Sequence, residues 1–441
     1  MSRTVLNRLH DRVRVFGKSR FVRNVATVAT GIAAAQAISL VFAPFLTRLY
    51  GPEAFGALAA FTAMINIITP LATLGYANAI VMPETDEGAT AIARLAIVCA
   101  TMVAPVMLSF VYIFQDQLAT WASLEATPAI LYLIPVSLLL GALLSVADQT
   151  AIREGLFKAK AGSHVASTLL INIGKLTGGL LAPSGLLLIV FFMLGKAINF
   201  VMLLALVPRN GAYEVRRWFG AAGIRNAARE YRDFSLYRMP QSMINAAALG
   251  LPVILLTSFF GSGAAGQYSL TVLVLGAPVM LLGQSVGEVF YPKITRAILE
   301  GSQDAGKMLI QATTVLSLLA LVPFGIIAIA GPVLFPIVFG DEWSRAGEYA
   351  QWIALWLAFV LVSGAYVAAY PALKLQRYLL VQEVLSVILR VTALYIGFTF
   401  FKSDLAAIAL FSIVGCFLST ALCVVAFIRL NGGIYFQKDK D

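Results

Sequence analysis

Runs of roughly 20 apolar residues recur from one end of the chain to the other, each long enough to cross a hydrocarbon core about 30 Å thick. A soluble domain covers its core with far more polar surface than the 12% of charged residues here can supply. With 60% hydrophobic residues and a mean hydropathy of +0.86, the chain reads as an all-α polytopic membrane protein. The pattern predicts twelve transmembrane helices, at roughly 22–48, 54–82, 91–114, 127–149, 163–182, 185–207, 236–260, 264–290, 308–330, 346–371, 377–400 and 404–428. The apolar stretch 331–340 (GPVLFPIVFG) lies beyond the ninth span, and the pattern leaves open whether it is a re-entrant or interfacial turn. The chain lacks the short apolar core and small-residue cleavage site of a secretory leader, so the first apolar run is expected to be a retained span.

A net charge of +10 would suggest nucleic acid in a soluble protein; in a polytopic one it reports topology. Of the 32 Lys and Arg, 26 fall in the segments and span ends on one side of the predicted membrane, and three (Arg48, Arg345, Lys402) on the other. The remaining three, Lys175, Lys196 and Arg390, lie within spans. That bias places both termini in the cytoplasm. Residues 1–20 carry Val5, Leu9, Val13 and Phe16 among Arg3, Arg8, Arg12, Arg14 and Lys18. They suit either a basic amphipathic helix on anionic membrane lipids or a disordered basic tail. The expected domains are that segment, a six-helix bundle over 21–207, a basic cytoplasmic linker over 208–235, a second six-helix bundle over 236–430, and a tail over 431–441. The linker, Arg-rich and carrying Trp218, Phe219 and Tyr231, suits an interfacial helix. Cys99, Cys416 and Cys423 all sit in apolar runs and His10 and His164 stand far apart, which gives neither a disulfide framework nor metal-ligand spacing.

Residues 44–84 carry the most local information. Gly51 and Pro52 form a tight turn, with Pro52 suited to open the next helix. Beyond it Thr62, Asn66, Thr69, Thr73 and Tyr76 recur at helical spacing on one stripe. Gln36, Ser39 and Thr47 make a similar stripe on the first span. Such stripes line a hydrated path or join helices by hydrogen bonds. The segment LTRLYGPEAFG (46–56) returns as LTSFFGSGAAG (256–266), with Leu, Thr, Gly, Ala and Gly matched at a constant offset of 210. Six spans per half is an even number, so duplication predicts two bundles related by a pseudo-twofold axis along the membrane normal.

No nucleophile–base pair, metal cluster or P-loop is apparent, so the expected work is transport, not catalysis. A lone cation at mid-membrane costs about 2.5–3.5 kcal/mol, so Lys175, Lys196 and Arg390 must face a wet cavity or a partner. Lys175 shares a stripe with Thr168, Asn172 and Gly179, and Arg390 shares a face with Ser386 and Glu383. A cationic lumen for a diphosphate or acidic glycan and an ion pair, of Arg390 with Glu383 or another buried acid, both satisfy that demand. Arg48 ends the first span and Arg238 opens the seventh, where each is an interfacial anchor or an anion contact. Glu84 and Glu288, at the cytoplasmic ends of the second and eighth spans, are candidates for a coupling proton or Na⁺, or for pairing with nearby basic loops.

The LTRLYGPEAFG turn, the helix ending LATLGYANAIVMPE and the twelve-span layout resemble the polysaccharide transporter family of the multidrug/oligosaccharidyl-lipid/polysaccharide exporter superfamily. The resemblance implies two six-helix bundles around a V-shaped cavity in a bacterial inner membrane. It also implies flipping of an undecaprenyl-diphosphate-linked oligosaccharide to the outer leaflet, with polysaccharide polymerase or assembly proteins as partners, no cofactor and no nucleic acid. A cation-coupled drug exporter of the same superfamily is the alternative, but it would call for a buried acid in the first bundle, where the first span offers only Gln36 and the acids Glu84 and Asp148 sit at span ends. A glycosyltransferase acting on lipid-linked sugars would need a large outer loop with carboxylates, and the outer loops here are short.

Overall fold

The computed structural model describes residues 20–122, 128–207, 215–285, 290–300 and 304–438. Most of the basic N-terminal segment, part of the linker and Glu288 lie outside the described residues. Within them the chain is helical throughout, and the twelve long helices are numbered here in order: α1 Arg20–Leu49, α2 Pro52–Ala72, α3 Asp86–Ile113, α4 Leu133–Arg153, α5 Phe157–Leu181 and α6 Gly185–Leu206, then α7 Met239–Phe260, α8 Ser262–Ser285, α9 Asp304–Phe339, α10 Ser344–Ala369, α11 Gln376–Thr399 and α12 Asp404–Lys438. Eleven of these are long and apolar enough to cross a membrane. The expected fifth span, now α5, falls short because His164, Asn172, Lys175 and four glycines dilute its apolar residues. Nor does 331–340 leave the membrane helix. α9 runs unbroken for 36 residues through Pro323, Pro332 and Pro336. In an apolar setting no water is at hand for an unwound backbone, so a helix tolerates proline better than it tolerates fraying.

Pro52 opens α2 as expected, but the helix stops at Ala72 rather than near 82. Leu74 and Gly75 turn left-handed (φ 48° and 76°), and a 3-10 turn follows over Tyr76–Ala79. A Cβ at Gly75 would stand 2.7 Å from the Phe234 carbonyl oxygen, so the close approach also demands glycine there. The polar stripe therefore breaks at its last two members. Thr73 and Tyr76 are buried, and the Tyr76 hydroxyl donates to the Ala228 carbonyl at 3.4 Å. Burial pushes the Tyr76 phenol above its ordinary pKa. α3 then starts from Thr85, whose hydroxyl accepts from Gly88 N–H at 3.2 Å, with Asp86 and Glu87 in the positive first turn.

The chain packs as two units, Met1–Leu46 with Phe61–Gly250 and Thr47–Ala60 with Leu251–Asp441. In the first unit, α3, α4 and the 76–80 turn enclose a core that also takes in Trp218 at 2% exposure. Over its described residues the linker is thus not a single helix, and of its aromatics Trp218 is buried while Phe219 stays exposed. It is a 3-10 turn (Val215–Trp218), a short helix (Ile224–Glu230) and a π-helical turn (Phe234–Arg238) folded onto α3. Arg94 holds it by donating to the carbonyls of Arg217 at 2.7 Å and Ala222 at 3.1 Å.

In the second unit the turn residues of the N-terminal hairpin pack on their own repeat. A Cβ at Gly56 would strike the carbonyl of Ser262, and one at Gly266 would strike the carbonyl of Pro52. Ser262 stands 210 residues after Pro52 and Gly266 the same distance after Gly56, so this contact is isologous. Around it Trp343, fully buried, donates from its indole to the Thr47 carbonyl at 2.9 Å and meets Phe55 edge to face. Gln267 donates to Glu342 O at 2.7 Å and accepts from Ala346 N–H at 2.9 Å. Arg345 binds both Glu348 and Asp404, fastening the start of α10 to the start of α12.

Candidate functional site

In the first unit, Lys196 points into the helix packing. Its ammonium donates to Ser137 Oγ on α4 at 3.4 Å and lies 5.0 Å from the centre of the Phe192 ring. Phe192 in turn meets Phe61 of α2 edge to face. Gly141, one turn after Ser137, makes the space: a Cβ there would stand 3.6 Å from the Lys196 nitrogen and 3.9 Å from the Thr69 methyl. Ser137 is fully buried. The result is an amine among helices α2, α4 and α6, held by a hydroxyl and an aromatic face. Among the described residues it has no carboxylate partner.

The second unit holds its counterpart on different helices. The Arg390 guanidinium of α11 stacks 4.3 Å from the Trp356 ring of α10 and 5.2 Å from the Phe411 ring of α12. Trp356 and Phe411 meet edge to face, as do Phe411 and Tyr268 of α8. The expected Arg390–Glu383 pair is not made, and Glu383 is exposed. The ion pairs among the described residues lie instead near helix ends: Arg153–Asp86, Lys160–Asp148, Lys307–Asp304, and Arg345 with Glu348 and Asp404.

The other expected site residues each have surroundings of their own. Asn172 is buried and donates from its amide to the Thr168 carbonyl at 2.8 Å. Lys175 on α5 is partly buried, Asn66 is exposed and Gln36 is partly exposed. Arg48 donates to the Ile337 carbonyl at 2.8 Å, so it caps the last turn of α9. Arg238 donates to Gln241 at 3.1 Å on its own helix. Glu84 is exposed and lines a cleft of about 580 Å³ with Glu87, Asn226, Glu230 and Tyr231. Ser137, Trp356 and Ser412 were not singled out from sequence, since a serine or tryptophan in an apolar run carries no signal of its own. Nor was Asp148 given a role beyond that of a span-end acid, although it pairs with Lys160 at 3.7 Å and is largely shielded from solvent.

A family model described as a polysaccharide biosynthesis protein matches residues 45–348. The succinoglycan biosynthesis transport protein ExoT of Rhizobium meliloti (strain 1021) is 24% identical over 342 residues, which cover 76% of this chain and 65% of that protein. The fold is shared with an inward-facing multidrug resistance MATE transporter of the MOP superfamily (TM-score 0.70, 13% identity, 94% of this chain and 95% of that one). It is shared equally with the lipid II flippase MurJ in an inward closed conformation (TM-score 0.71, 12% identity, 93% and 90%). A match over most of the chain, a superfamily fold and eleven membrane-length helices agree with the resemblance carried by the Gly51 turn: the chain is a multi-pass membrane protein that belongs to the polysaccharide biosynthesis protein family.

Proposed function

We propose that this chain is a flippase. It carries a polyprenyl-diphosphate-linked oligosaccharide from the inner to the outer leaflet of a bacterial inner membrane by alternating access, with both termini in the cytoplasm. The observation that carries the reading is a pair of cations at membrane depth, Lys196 and Arg390, neither matched by a carboxylate among the described residues. A membrane helix bears such a charge at a cost of a few kcal/mol, and an anionic cargo offsets it. Lys196, Arg390 and Lys175 are the proposed contacts for the diphosphate or for acidic sugars. Gln36, Asn66 and Asn172 are proposed for sugar hydroxyls, and Arg48 and Arg238 for the two membrane faces. Glu84 and Glu288 remain the proposed coupling acids, and shielding adds Asp148 to them.

Drug export of the MATE kind shares the fold. A cationic drug, however, would meet Lys196 and Arg390 as like charges, which disfavours that reading. Deleting the gene should leave the lipid-linked glycan on the cytoplasmic side and deplete surface polysaccharide. Unchanged surface glycan under every growth condition would refute the flippase.

A further inference from the structure

Six buried side-chain polar atoms lack a hydrogen-bond partner among the described residues, and three belong to one cluster: Arg390 Nε, Trp356 Nε1 and Ser412 Oγ. Each is unusual for its chemistry. An indole N–H is a donor only and nearly always finds an acceptor when buried. A guanidinium Nε–H is charge-bearing, so leaving it bare costs more still. A serine in an apolar helix ordinarily donates to the carbonyl four residues back, as Thr420 does to Cys416 at 2.8 Å on this same helix. Ser412, 1% exposed, does not.

The three are brought together by packing. The Trp356 ring centre lies 4.3 Å from the Arg390 guanidinium, and its Nε1 stands 2.6 Å from where a Cβ at Gly415 would be, so the indole edge sits on the α12 face that also carries Ser412. Cys416, one turn beyond Ser412, and Tyr268 of α8 lie within electrostatic reach of the guanidinium. Gly415 is what admits the indole. Any larger residue would push Trp356 off the helix and separate it from Ser412.

We infer that Arg390, Trp356 and Ser412 form an oxyanion site inside the second unit, in which three donors converge on one phosphate or carboxylate group. Trp356 and Phe411 act as positioning residues as well, since their rings fix the guanidinium plane so that its N–H fork is pre-set. A drug cation meets the guanidinium as a like charge, and a neutral sugar has no charge to set against it. A diphosphate or a uronate has. The inference deepens the proposed transport function, resting on it only for where the oxyanion comes from, the lipid's diphosphate or an acidic sugar of the glycan.

The test is equilibrium binding to the purified full-length chain in detergent micelles, with pyrophosphate and glucuronate as separate probes. Wild type should bind at least one probe saturably. S412A, which removes a hydroxyl and leaves the packing intact, should bind about tenfold more weakly, as loss of a hydrogen bond to a charged group does. R390Q should show no saturable binding while K402Q, at an exposed lysine, binds as wild type. Pyrophosphate binding alone assigns the site to the carrier's diphosphate, and glucuronate binding alone assigns it to an acidic sugar; both support the site. Binding of neither probe, or equal binding by wild type, S412A and R390Q, overturns it. If R390Q and S412A cells also keep full surface glycan, the oxyanion site fails and the flippase reading stands. Loss of glycan only on gene deletion separates the two.

Discussion

Lys196 and Ser137 show what a single residue can and cannot announce. A lysine in the run FFMLGKAINF is conspicuous because its charge is expensive there. Its surroundings are silent in the sequence, for Ser137 and Gly141 lie more than fifty residues earlier on another helix, and only packing brings them to the amine. The same holds for Arg390. Its charge stands out, yet the sequence offered Glu383 as a partner along the helix face, and tertiary packing supplied aromatic rings instead. If Lys196 meets the cargo's anionic end, K196Q should lower surface polysaccharide about tenfold at unchanged membrane abundance, measured by glycan staining beside an immunoblot. S137A, which removes only the hydroxyl that holds the amine, should lower it by a smaller factor. Full export in K196Q would remove this residue from the transport path.

At the scale of helices, small residues decide where backbones can touch. Gly56 and Gly266 were readable as a repeat but not as a contact, because nothing in periodicity says that two equivalent turns pack on each other. Adding a methyl group at either position should force the helices apart and cost about 1–3 kcal/mol, as overpacking of a tight site does. G56A and G266A should each lower the melting temperature of the purified protein. G276A, where a Cβ would meet nothing within 4 Å, should leave it unchanged. Equal melting of all three would remove the contact as a source of stability. The early end of α2 was hidden for a related reason. Apolar residues run on past Ala72, and only the need to seat Gly75 against Phe234 stops the helix. At 331–340 periodicity left the course of the chain open, and the lack of water to receive an opened backbone favours the continuous helix found there.

For the whole molecule, hydropathy and charge asymmetry sufficed for fold class and helix order, since the membrane allows few alternatives. They said little about which helices form a packing unit. The charge bias predicts that single cysteines placed in the 215–235 linker, in a chain stripped of Cys99, Cys416 and Cys423, react with an impermeant maleimide only when the cytoplasmic face is opened. Labelling in intact cells would reverse the topology. The packing of Thr47–Ala60 with Leu251–Asp441 bears on how the gene could be divided. A fragment beginning at residue 236 would be made without Thr47, the acceptor for Trp343, and without Gly56 and Pro52, the mates of Ser262 and Gly266. Made alone it should be cleared by proteolysis, and supplying 1–235 from a second transcript should restore it. A unit completed by a turn encoded near the start of the gene cannot be inherited apart from the codons for residues 47–60.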